Sequence, residues 1–112
     1  MILLHNPRCS KSRQALAILE ERGCDFQIRL YLEEPLSKVE LQEILGYLGM
    51  EPSELARKGE PAFKEGNLKA ACEDQILEAM LVEPKLIERP ILVVDGKAVV
   101  GRPPETVLEL IS

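Results

Sequence analysis

Cys9 stands where the first short apolar run of this 112-residue chain gives way to an amphipathic stretch. Ile2-Leu3-Leu4 reads as a buried strand ending at His5-Asn6-Pro7, and the pattern from about Ser10 to Arg22 reads as a helix stopped by Gly23. A thiol at such a junction meets unpaired backbone N–H groups and the positive end of the helix dipole, which shift it toward thiolate. Arg8 and Lys11 push the same way, and no acidic residue lies within ten positions of Cys9. Thiolate is the nucleophilic form of cysteine, so the chemistry expected at Cys9 is nucleophilic attack by sulfur. Cys24 follows a helix stop and Cys72 precedes a helix, and both read as structural.

The spacing around Cys9 excludes two other thiol chemistries. A phosphatase loop requires an arginine six positions after its cysteine, so that amides and guanidinium enclose phosphate, and Ala15 stands there. A dithiol centre requires a second cysteine at the end of Cys9-Ser10-Lys11-Ser12, and Ser12 occupies that place. A one-cysteine centre must take its second thiol from elsewhere, most simply glutathione or a partner protein. With His5 the only histidine and cysteines at 9, 24 and 72, no zinc or iron–sulfur ligand set is formed, and no metal is expected.

Composition narrows the class further. The formal net charge is −5, the wrong sign for a protein that coats phosphate backbones, and four aromatics without Trp supply no stacking platform for nucleic acid. No apolar run is long enough to span a bilayer, and Met1-Ile2-Leu3-Leu4 lacks a basic leader, so a cytoplasmic, membrane-free chain is expected. Residues 1–19 nevertheless carry +3 and the remaining chain −8. A small cationic spot on an acidic body suits a small anion better than a polymer.

The elements that must position Cys9 follow from periodicity. Phe26, Ile28 and Leu30 alternate with Gln27, Arg29 and Tyr31, predicting a second strand, and strand–helix–strand in so few residues predicts a parallel βαβ unit. Ser37 with Glu40 is a capping box, and Leu41, Ile44, Leu45 and Leu48 follow as an apolar stripe. Pro52-Ser53 begins a short turn or helix holding Leu55 and Arg57. A further helix is expected from about Glu73 to Glu83, with Ile76, Leu77, Met80 and Leu81 inward. The chain closes with a helix begun by Pro103-Pro104-Glu105 that turns Val107, Leu108 and Ile111 inward.

Between them lies a hairpin. Asp95-Gly96 is preferred two-residue turn chemistry between Ile91-Leu92-Val93-Val94 and Lys97-Ala98-Val99-Val100. Pairing Val94 with Lys97 sets Pro90 opposite Gly101 and Arg89 opposite Arg102. Two arginines directly across a ladder repel. Each precedes a proline, which favours extended backbone, and such a pair becomes useful when an anion sits between its forks.

His5-Asn6-Pro7-Arg8-Cys9-Ser10-Lys11-Ser12-Arg13, then Leu55-Ala56-Arg57-Lys58, Glu88-Arg89-Pro90-Ile91 and Gly101-Arg102-Pro103-Pro104-Glu105 together resemble the glutathione/glutaredoxin-coupled arsenate reductase family. The resemblance runs in matching order over the entire chain. It implies an α/β, thioredoxin-like four-stranded mixed sheet flanked by helices, in a single domain of residues 1–112. A helical insertion of about residues 37–83 would separate the βαβ half from the ββα half. It also implies a nucleophile at Cys9, three oxyanion-holding arginines at Arg57, Arg89 and Arg102, and a histidine at His5 that favours or positions the thiolate. Pro90 matches the family's commonly cis proline.

The implied reaction is reduction of arsenate to arsenite through a covalent thioarsenate on Cys9. Glutathione serves as co-substrate, glutaredoxin as partner, and no cofactor is bound. Two other readings compete with it. One is a glutathione-dependent thiol-disulfide oxidoreductase. The other is a regulator of the same fold that binds RNA polymerase and switches through Cys-x-x-Cys, against which stands Ser12.

Overall fold

Ile2–Leu4 is strand β1 in the computed structural model, which describes residues 1–111. The chain divides into two compact units, one of Met1–Glu34 with the chain from Arg89 onward, the other Pro35–Glu88. In the first unit β1 is central. On one side it pairs in parallel with β2 (Gln27–Arg29), and on the other it pairs antiparallel with β3 (Ile91–Val94). Strand β4 (Lys97–Val100) completes a mixed sheet in the order β2-β1-β3-β4.

Helix α1 (Ser10–Glu21) joins the two parallel strands. It ends as Gly23 predicted: that residue adopts φ 67°, its N–H bonds to the Glu20 carbonyl at 3.0 Å, and the Cys24 N–H reaches Leu19 at 3.2 Å. This closure satisfies carbonyls that the last turn would leave bare. Leu3, Ala15, Leu19, Leu92 and Val107 form a fully buried core beneath α1. Cys24, Phe26, Val94, Val99, Leu110 and Ile111 pack against it.

Two details differ from the sequence expectation. The second strand is short, and Ile28 is 48% exposed rather than turned inward. It lies on the sheet's edge strand, while the apolar cover gathers over β1, β3 and β4. The last helix, Pro104–Leu110, is 3₁₀ rather than α. Thr106 bonds back to Pro103 and Ile111 back to Leu108, each three residues away. The tighter winding eclipses positions i and i+3, which brings Val107 and Leu110 together onto the core.

The β3–β4 hairpin has the register read from the sequence, Ile91 facing Val100 and Val94 facing Lys97. Asp95 and Gly96 both have positive φ, 46° and 77°, as a type I′ turn requires.

The second unit is helical. Ser37 and Glu40 cap α2 (Lys38–Leu48) reciprocally, at 3.1 and 2.9 Å, and Leu41, Ile44 and Leu45 are its buried stripe. Short helices α3 (Pro52–Leu55) and α4 (Pro61–Glu65) precede a 3₁₀ turn at Leu68–Ala70, then α5 (Glu73–Val82). An antiparallel bridge from Ala56, just after α3, to Ile87 ties the middle of the unit to its C-terminal end. Among the described residues no helix is long and apolar enough to cross a membrane.

Gly101 marks the tightest place in the first unit. Its N–H bonds to the Pro90 carbonyl at 2.8 Å, and an added Cβ would lie 2.9 Å from Pro90 Cγ and 3.1 Å from Val107 Cγ1. Gly101→Ala is therefore expected to destabilise the protein by about 1–3 kcal/mol in urea titration. Gly46→Ala is the matched opposite. A Cβ there meets nothing within 4 Å on a helix surface, so a gain of about 0.5–1 kcal/mol is expected.

Candidate active site

The site begins where β1 stops. The His5 N–H continues the parallel ladder to the Arg29 carbonyl at 3.0 Å. The chain then turns: the Asn6 side chain accepts from the Arg8 N–H at 3.0 Å, and the Asn6 carbonyl from the Cys9 N–H at 3.0 Å. Arg13 fastens the turn from outside by donating to the Pro7 carbonyl at 2.8 Å. Cys9 thereby becomes the N-cap of α1, with extended backbone at φ −95° and ψ 123°.

Burial of the half-exposed Cys9 sulfur would by itself raise its pKa. Four influences oppose that and together outweigh it: the Ser12 N–H, the charge of Arg89, the Lys11 N–H and a hydrogen bond from the Arg89 guanidinium. The thiol is held below its ordinary value. None of the first-turn amides makes a fully formed cap bond to the sulfur, yet two of them lie close enough to favour its anion. The charge acting on Cys9 is thus not that of its sequence neighbours Arg8 and Lys11. Lys11 contributes its backbone N–H, and the cation comes from the start of β3.

The topology explains how Arg89 arrives. Ile91 faces Leu4 across the antiparallel β1–β3 pair, so the residues preceding Ile91 run out past the end of β1. The Arg89–Pro90 bond is cis, and so is Arg102–Pro103. Across the hairpin the Arg102 guanidinium donates to the Arg89 carbonyl at 3.3 Å. The two arginines that the register sets opposite one another therefore share a backbone contact.

Ser12 is fully buried. Its hydroxyl accepts from the Asn6 N–H at 3.0 Å and lies 2.7 Å from Nδ1 of His5. Burial first, then the charge of Arg13, hold the His5 pKa below that of an ordinary imidazole, so the ring is neutral at neutral pH. A neutral ring adds no charge in favour of thiolate. It joins strand end to helix start through Ser12, whose amide is among the groups acting on the sulfur. Reading position 12 only as the missing second cysteine overlooks this function. The signal is its place three residues after an N-cap, where a side chain turns back toward the cap.

Arg57 belongs to the second unit. Its N–H bonds to the Leu86 carbonyl at 2.7 Å, and its guanidinium contacts Glu60 at 3.4 Å and the Lys85 carbonyl at 3.2 Å. Cys9, His5, Arg89 and Arg102 belong to the first unit.

Comparison with known proteins places these features in a family. Residues 4–110 match the model of the ArsC family. The chain is 41% identical to an arsenate reductase from Haemophilus influenzae, over 99% of this chain and 98% of that one. It is 47% identical to the uncharacterized protein YfgD of Escherichia coli, over 98% and 95% of the two chains. Among solved structures it is similar to the arsenate reductase from Vibrio cholerae, with a TM-score of 0.94 at 45% identity, covering 98% of this chain and 96% of that one. A thioredoxin-like sheet carrying a cysteine at its first strand–helix junction, matched over nearly its whole length, thus belongs to the ArsC family.

Proposed function

We propose that this chain reduces arsenate to arsenite, with Cys9 as the nucleophile and Arg89 and Arg102 as the groups that hold the oxyanion. The observation that carries the reading is geometric: Cys9 is the N-cap of α1, and the β1–β3 pairing brings Arg89 out past the end of β1 to a place where it lowers the thiol's pKa. Similarity to arsenate reductases over nearly the whole chain supports the choice of substrate. The chain is accordingly an oxidoreductase of the arsenate reductase class.

Arsenate is a tetrahedral anion, and a thiolate approaching it meets like charge. Guanidinium forks match its oxygens bidentately and offset that repulsion as the new bond forms. Cys9 attacks arsenic, and one arsenate oxygen leaves as hydroxide or water, giving a thioarsenate. Glutathione thiolate then attacks the Cys9 sulfur of that adduct. The sulfur–arsenic electron pair leaves with arsenic, which falls from the pentavalent to the trivalent state as arsenite. The two electrons come from the two thiols, now joined as a Cys9–glutathione disulfide. A glutaredoxin returns Cys9 to thiolate by thiol–disulfide exchange. No cofactor is bound in this scheme, and glutathione is a co-substrate. His5 stays neutral and positions the Cys9 loop through Ser12. Arg57 enters as a third oxyanion ligand through the family resemblance alone.

Two measurements test the reading. In an assay coupling arsenate, glutathione, glutaredoxin and NADPH, Cys9→Ser should reduce turnover to background, while Cys24→Ser and Cys72→Ser keep most of it. Arg89→Lys should cost on the order of tenfold or more in kcat/KM, because an ammonium cannot replace the fork. Activity surviving in Cys9→Ser, or disulfide reduction without arsenate turnover, would sink the assignment.

The second measurement is alkylation by iodoacetamide followed against pH in a Cys24→Ser/Cys72→Ser background. The rate rises as Cys9 ionises, so a lowered pKa places the midpoint below that of a free thiol, roughly 8.5. Arg89→Met removes a cation that favours the anion, so the midpoint should move upward. A midpoint that ignores this substitution would remove Arg89 from the account.

A further inference from the structure

The second unit holds a cleft of about 710 Å³ that the proposed arsenate chemistry does not use. Its floor is apolar: Phe63, Leu68 and Ile76 line it, each less than a tenth exposed. Its rim carries Lys58, Lys64 and Lys69. These come from three separate elements, the segment after the Ala56 bridge, α4, and the 3₁₀ turn at Leu68–Ala70. Asn67, in left-handed backbone at φ 51°, makes the turn between the last two, with its N–H on the Lys64 carbonyl at 3.0 Å.

The three lysines are exposed, but they are concentrated beyond what the unit's composition supplies. Residues 35–88 contain eleven acidic and only six basic side chains, yet three of those six rim this one cleft. Lys38, elsewhere in the unit, pairs with Glu78 at 2.7 Å. Among the described residues none of the three rim lysines has a carboxylate partner. The single acid of the lining, Glu73, has its Oε2 accepting from the Ser53 N–H at 2.9 Å, a bond that keeps it ionised, so the lining carries three positive charges against one negative. The cleft therefore combines an apolar floor with uncommitted positive charge, and its volume lies within the roughly 300–1,000 Å³ of small-molecule sites.

We infer that this cleft binds a small amphipathic anion, with a carboxylate or phosphate head among Lys58, Lys64 and Lys69 and an apolar body on Phe63, Leu68 and Ile76. Three cations favour the head over a neutral polar group. The apolar floor favours an acyl or aryl body over a bare inorganic ion. The binding is distinct from the reaction at Cys9 and does not depend on it.

The test titrates the full-length, isotope-labelled chain with 4-phenylbutyrate, with its neutral counterpart 4-phenylbutanol, and with inorganic phosphate, following amide resonances. Saturable shifts centred on Phe63, Leu68 and Ile76 are expected for 4-phenylbutyrate. Lys64→Gln/Lys69→Gln should weaken its binding on the order of fivefold, the sum of two exposed charge contacts, and 4-phenylbutanol should bind weaker by a similar factor. The Lys64→Arg/Lys69→Arg variant, which keeps the charge, should retain affinity, and unchanged resonances outside the cleft show that the variants are folded. Shifts centred elsewhere, or none, would overturn the inference. So would equal affinity for the alcohol, undiminished affinity in the glutamine variant, or inorganic phosphate binding as tightly as 4-phenylbutyrate.

Discussion

A half-buried sulfur resists ionisation, and everything this chain does at Cys9 works against that resistance. Two amides of the first helical turn and one guanidinium reverse the effect of burial. The amides come at no extra cost, because a helix start leaves its first N–H groups without internal partners. The guanidinium has to be carried in. It comes from the far end of the sequence, and only the antiparallel pairing of β3 with β1 brings it there. The same cation that favours the thiolate is, in the proposed reaction, the one that meets the oxyanion. One residue thereby eases both formation of the nucleophile and its approach to an anion.

That arrangement makes strand register a functional quantity. Side chains alternate in a strand, so a slip of one residue sends every side chain to the opposite face. The register of β3 is fixed on one side by β1 and on the other by the Asp95-Gly96 turn, whose positive φ values suit only residues that tolerate left-handed backbone. The turn lies at the opposite end of the hairpin from Arg89. It nevertheless decides which residue faces Arg89, and with it the contact between the Arg102 guanidinium and the Arg89 carbonyl. Close packing of Gly101 against Pro90 and Val107 holds the near end in the same register.

Features set by local chemistry were readable directly from the sequence. The capping box at Ser37 and Glu40, the glycine stop at Gly23 and the hairpin pairing that sets Arg89 opposite Arg102 each rest on a few adjacent residues, and each is present. What depends on tertiary surroundings was not readable. Ile28 has the alternation of an inward-facing residue, but an edge strand gives it less to pack against. Helix α4 lies between Gly59 and Gly66, and the next 3₁₀ turn begins just after Asn67, so no apolar period survives long enough to be recognised. Proximity in sequence points to Arg8 and Lys11 as the cations near the thiol, whereas the one that acts on Cys9 depends on a long-range strand pairing.

The His5–Ser12 contact shows how a histidine can serve a thiolate without charging. Protonating His5 would place a cation beside Arg13 in a nearly sealed position, and both burial and that arginine oppose it. Neutral, the ring instead completes a set of bonds on the Ser12 hydroxyl, which already receives the Asn6 N–H. The hydroxyl thus fixes the backbone on both sides of Cys9, residue 6 before it and residue 12 after it. A cysteine at position 12 would be a poor substitute in that role, because sulfur is a weak acceptor and a weak donor. Ser12 in place of a second thiol therefore has two consequences. It leaves Cys9 to find its resolving thiol in another molecule, and it supplies the latch that holds Cys9 where the helix amides and Arg89 converge.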